Sequence, residues 1–188
     1  MEKKSRVTLF IIILSIILIL TGVSFAFFTA KIDGSESTST IVADSGHMTI
    51  VYDNGSGNIT AHNLAPDNAA FATKTFTLTG TNTTNKTMPY TLTLIIDNNT
   101  FSTNTISYTL TSTNTGTNGT IVPSIATQTP IATGTSTITL GTGTFVLADT
   151  KVHTYVLSLY FIDTGSDQST DMSKYFAAHI GITAGQSY

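Results

Sequence analysis

From residue 47 onward the chain alternates apolar residues with threonine, and that period of two constrains the fold more than anything else in the sequence. "HMTIVY" (47–52), "FATKTFTLT" (71–79), "MPYTLTLIID" (88–97) and "ISYTLTS" (106–112) show it clearly, and "STITLGTGTFVL" (136–147) more loosely. Successive side chains of a strand point to opposite faces, so such a run is a half-buried β-strand rather than a helix. In "YTLTLII" the pattern sends Tyr90, Leu92, Leu94 and Ile96 to a core and Thr91 and Thr93 to water. Threonine suits the wet face because its β-branch favours the extended backbone while its hydroxyl stays solvated. "KVHTYVLSLYFID" (151–163) is apolar on both faces and reads as a central, covered strand; "KYFAAHIGIT" (174–183) is the last one.

Between the strands lie "DNGSGN", "GTNTTNKT", "DNNT", "NTGTNGT" and "DTGSD", rich in residues that accept positive φ or make Asx turns. Pro66, Pro89, Pro123 and Pro130 fall where loops or strand starts are expected. No segment after the apolar N-terminus carries a helical stripe. The architecture these signals predict is a β-sandwich of about seven to nine strands.

The N-terminus reads differently. Lys3, Lys4 and Arg6 precede an apolar run, and Ser24-Phe25-Ala26 sets small residues at the −3 and −1 positions of a signal-peptidase site, with Phe27 first after the cut. The competing reading is a retained anchor, since residues 7–28 hold no charge and are long enough to span a bilayer. The organisation read from the sequence is therefore a signal segment (1–26), a mature N-terminal segment (27–46) and a sandwich domain (47–188). No sorting signal or apolar tail follows the last strand, so no anchoring is expected from that end.

About one residue in five is threonine, and only 10% are charged, so the polar surface is hydroxyl and amide rather than ionic. That suits the outside of a cell better than a cytosol, where solubility rests on mixed charge. After cleavage the chain carries 5 lysines against 10 acids, which gives nucleic-acid binding no electrostatic support. The chain has no cysteine, which excludes disulfides and thiolate chemistry.

Motifs for catalysis are sparse. "FIDTGS" (161–166) has the look of an aspartic-protease signature, but that chemistry needs two aspartates sharing a proton, and Asp163 has no second copy; a strand-ending turn accounts for it. Asp163, Asp167 and Asp171 form an acidic loop that is a candidate weak cation site, without the alternating oxygens and closing glutamate of an EF-hand. His47, His62, His153 and His179 are scattered, with no compact zinc spacing. Neither a metal site nor a cofactor is expected, and no enzyme activity. Asn54, Asn58, Asn82, Asn85, Asn98 and Asn118 each begin an N-x-S/T sequon in or beside a turn, making them candidate N-glycosylation sites.

Taken in order, "GVSFAFFTA", "ADSGHMTIVY", "NLAPDNAAFATKTFTLTGTNTTNKTMPYTLTLII" and "LYFIDTGSDQSTDMSKYFAAHIGITAGQ" resemble the TasA and camelysin-like secreted proteins, processed by a SipW-type signal peptidase. The likeness covers nearly the whole chain. It implies a jelly-roll-like or immunoglobulin-like sandwich, exported to the cell surface, that assembles with copies of itself, and with other matrix or surface components, into biofilm fibres or pili. It further implies that the mature N-terminal segment of one subunit inserts into the next as a donor strand. That role falls here on residues 27–32, with Phe27, Phe28 and Ile32 as anchors; the membrane is met only through an uncleaved signal segment. Camelysin's attribution as a metallopeptidase finds no zinc motif to carry it. The alternative reading is an adhesin-like module, tethered or free, whose threonine-rich faces bind glycans or other cell-surface partners.

Overall fold

The computed structural model describes residues 30–33, 39–43, 48–56, 59–113, 119–146 and 148–185. Within them the chain is almost entirely strand: β1 (Ala30–Asp33), β2 (Ser39–Ala43), β3 (Met48–Ser56), β4 (Thr60–His62), β5 (Ala70–Asn82), β6 (Met88–Asn99), β7 (Ile106–Ser112), β8 (Ile125–Pro130), β9 (Ser136–Phe145), β10 (Ala148–Phe161) and β11 (Tyr175–Ala184). A single 3₁₀ turn, Ser169–Asp171, interrupts the β10–β11 connection.

The strands form two antiparallel sheets. One runs β1-β11-β6-β9, with β4 also pairing to β11; the other runs β2-β3-β5-β10-β7-β8. They share one hydrophobic core, the arrangement of a β-sandwich. Tyr90, Leu92, Leu94 and Ile96 enter it from β6, with Phe76 and Leu78 from β5 and Tyr155, Leu157, Leu159 and Phe161 from β10. Each set is spaced by two, so the alternation seen in the sequence is the burial pattern itself. Rings dominate the middle: Phe76 stacks on Tyr155, and Tyr90 on Phe145, both at 5.4 Å between centroids. Gly80 makes room for Phe145, since a Cβ there would lie 2.3 Å from that ring.

Seven strands lie where the alternation puts them, and β7 has the same bounds as its sequence signal. Three, β2, β4 and β8, were not anticipated, and β1 overlaps the candidate donor strand at 27–32. β1 and β2 arise from residues read as a segment preceding the sandwich, and they join one sheet each. β4 and β8 are short and carry no clean alternation. β10 is central, between β5 and β7, but its second face is not covered: Val156, Ser158 and Tyr160 are only half-buried and Val152 is 40% exposed. Pro130 ends a strand rather than starting one. β8 is an edge strand, where a missing N–H costs no ladder bond.

Candidate functional site

Three places concentrate unusual chemistry. The first is the edge of β11 that faces away from β6. Two short strands divide it: β4 pairs Tyr175 with His62, Phe176 with Ala61 and Ala177 with Thr60, while β1 pairs Gly181 with Asp33, Ile182 with Ile32, Thr183 with Lys31 and Ala184 with Ala30. Between them the Ala178 N–H donates to the Ile59 carbonyl at 3.2 Å. The backbone groups that a sheet edge would otherwise offer to another chain are thus met by two segments remote in sequence. Ile32 sits in β1. Phe27 and Phe28, like the cleavage residues Ser24 and Ala26, lie outside the described residues.

The second place is the acidic loop. Asp163 Oδ1 accepts from the Gly165 N–H at 2.8 Å and Asp167 Oδ1 from the Ser169 N–H at 2.9 Å, both Asx turns. Hydrogen bonds from the Ser169 backbone and hydroxyl hold the Asp167 carboxyl below the usual carboxylate range. Asp171 turns inward and is 5% exposed. Its Oδ1 accepts from the Ser102 N–H (2.8 Å) and hydroxyl (3.0 Å), and its Oδ2 from the Thr105 hydroxyl (3.4 Å). It therefore ties the β10–β11 loop to the β6–β7 loop. The three carboxylates serve separate local tasks, and among the described residues no group of three or more His, Asp or Glu is arranged to hold a metal ion.

The third is a polar chain through the core, which the sequence did not flag. Tyr155 Oη accepts from the Val122 N–H at 3.2 Å; Tyr90 Oη lies 2.5 Å from Tyr155 Oη and 2.7 Å from His153 Nδ1. The three groups share their protons along one line, and at its end His153 Nε2 is buried and has no hydrogen-bond partner. The ring stacks on Phe145 at 4.3 Å and is 1% exposed. Burial lowers the His153 pKa and raises those of both tyrosines, that of Tyr90 further through its tyrosine neighbour. Desolvation favours the neutral form of each group, and their hydrogen bonds tie β6 to β10 across the core.

Of the other histidines, His62 is exposed on β4, and His179 on β11 lies 2.8 Å from Asp97; His47 falls outside the described residues. The sequons also separate. Asn85 and Asn98 are exposed, and half-buried Asn54 accepts from the Tyr52 hydroxyl at 2.8 Å. Asn82 is wholly buried: its amide nitrogen donates to the Lys86 carbonyl (2.7 Å) and the Phe145 carbonyl (3.3 Å), and its Oδ1 accepts from the Thr84 N–H and hydroxyl. The folded chain offers no access to that nitrogen. Asn58 and Asn118 lie outside the described residues.

The outer face of the six-stranded sheet is built of hydroxyls. Thr73, Thr75, Thr77, Thr79 and Thr81 line β5, flanked across the ladder by Thr150, Val152, Thr154, Val156 and Ser158 of β10. Among known protein families, curated proteins and solved structures, none matches this chain.

Proposed function

We propose that this protein is a secreted structural subunit of extracellular fibres or pili, exported on its apolar N-terminal segment and polymerised head-to-tail by donor-strand exchange. One observation carries the reading: the first described strand, β1, is only four residues long and completes an open sheet edge by backbone pairing to β11. A strand with so few bonds to its own domain is well suited to trade places with the same strand of a neighbour, because intra- and intermolecular pairing use identical hydrogen bonds. Repetition of that trade without closure makes a filament. The jelly-roll form of the sandwich belongs to the same proposal and has support in the strand order. From β4 onward, β4-β11-β6-β9 faces β5-β10-β7-β8, the alternation between sheets that two Greek keys produce.

The absence of native cysteine makes a direct test available. Lys31 and Thr183 are register partners. Directly opposed residues of an antiparallel pair have Cα atoms about 4.5–5.5 Å apart, within disulfide reach. The double variant Lys31→Cys/Thr183→Cys, oxidised after assembly, is expected to give a ladder of covalent oligomers on a non-reducing gel. Filaments that dissolve into internally cross-linked monomers would overturn donor-strand exchange.

A further inference from the structure

At the opposite end of the sandwich from the Tyr90 clamp, two loops and a strand end line a cleft of about 470 Å³. It lies between the β6–β7 loop (100–105), the end of β8 and the β10–β11 loop (162–174), and its volume falls within the range of about 300–1,000 Å³ typical of small-molecule sites. We propose that this cleft is a binding site for a neutral oligosaccharide.

The chemistry of the lining narrows the ligand. Among the described residues that line it there is no lysine, arginine or histidine, so phosphate, sulfate and other anions meet no counter-charge. A divalent cation is no better served. Both Asp171 oxygens already accept from Ser102 and Thr105, and the Asp167 carboxyl accepts from Ser169. Apolar ligands find only Ile162 and Pro130 as a floor. What remains is a mixture of donors and acceptors. Gln128 points its Oε1 at the Ser107 hydroxyl (3.4 Å), which leaves its Nε2 as a donor; Asn104 and Thr170 add groups that both donate and accept. Sugar hydroxyls also do both at each oxygen, and their C–H faces match a small apolar floor.

The walls are braced before any ligand arrives, and bracing lowers the entropy lost on binding. Asp171 holds the β6–β7 loop. Gln168 accepts at Oε1 from the Thr164 N–H (2.9 Å) and hydroxyl (3.0 Å) and donates from Nε2 to the Ile162 carbonyl (3.0 Å). Asn104 itself adopts a left-handed backbone, φ 67°, which fixes the turn that carries its side chain into the lining. Asn104, Gln128 and Thr170 lie alongside these braced residues in the lining. The site is separate from the β1–β11 edge, so it can be tested without reference to assembly.

The test is titration calorimetry on the full-length chain in a sugar-free zwitterionic detergent. The probes are cello-, malto-, chito- and manno-hexaose, with calcium chloride and inorganic phosphate titrated separately. At least one oligosaccharide is expected to bind, and Asp167→Asn with Gln128→Ala to weaken it at least about tenfold. Circular dichroism checks that the fold persists; should the double variant unfold, Thr170→Val serves in its place and is expected to weaken the same sugar. Failure of all four sugars to bind would overturn the proposal. So would affinity unchanged in the variants, which would move recognition to the threonine faces, or calcium bound where no sugar is.

Discussion

The two faces of the β5–β10 pair are made by the same two stretches of chain and could hardly differ more. Inward go Phe76, Leu78, Tyr155, Leu157 and Leu159, all buried; outward go five alternate threonines of β5 and the Thr, Val and Ser residues of β10. The inner face is buried in the core shared by the two sheets. The outer face gives its methyl groups and hydroxyls to water, where one β-branched residue nearly replaces another. Stability therefore resides on one side of the ladder, while the other is free to serve solubility and contact without relying on charge.

The largest break in that contrast is expected from Leu157→Ala, which opens a cavity between the sheets. It should lower unfolding free energy by about 2–5 kcal/mol in a denaturant titration. Gly80→Ala probes the opposite failure: with Phe145 at 2.3 Å from the added Cβ, overpacking should cost about 1–3 kcal/mol. A smaller cost would mean that the ring has room to turn away.

The polar chain sharpens the contrast through pH. Burial keeps His153 neutral in the folded protein, its pKa below the ordinary value, while in the unfolded chain it titrates near about 6.5. Its contribution is therefore complete above that pH and is lost as pH falls, because the unfolded state takes up the proton first. Stability is expected to fall as pH drops below about 6.5, with a slope that cannot exceed about 1.4 kcal/mol per pH unit for this one group. His153→Gln, which retains an acceptor for the Tyr90 hydroxyl, should flatten the slope in that window. An unchanged slope would place the titration elsewhere. Least affected is the outer face: Thr77→Val should change stability by no more than about 0.5 kcal/mol, and a large loss would show that the hydroxyl row is structural after all.

How much of this was legible in the sequence follows the same division. Where one face is buried and the other wet, alternation writes itself into the residue order, and β5, β6 and β7 could be read directly. β1 and β4, of four and three residues, are too short to show a period; their conformation is imposed by β11. β10 misled because Val156, Tyr160 and Ile162 look like a second core face. A β-branched or aromatic residue on an exposed sheet is chosen for the backbone as much as for burial. The clamp of Tyr90, His153 and Tyr155 was unreadable for another reason: its members are 63 and 65 residues apart, and only the stacking of the two sheets brings them together. The acidic loop was visible as a cluster of aspartates, but their division of labour was not. Which oxygen binds which N–H is set by turn geometry rather than by spacing.

The buried amide of Asn82 has a consequence for the order of events in the chain's life. Both of its N–H bonds are spent inside the fold, so a sugar attached there before folding would have to be housed where no room exists, with one carbonyl left dry. Folding and modification at that asparagine exclude one another. Every copy in this fold therefore carries a bare amide at Asn82, whatever happens at the exposed sequons.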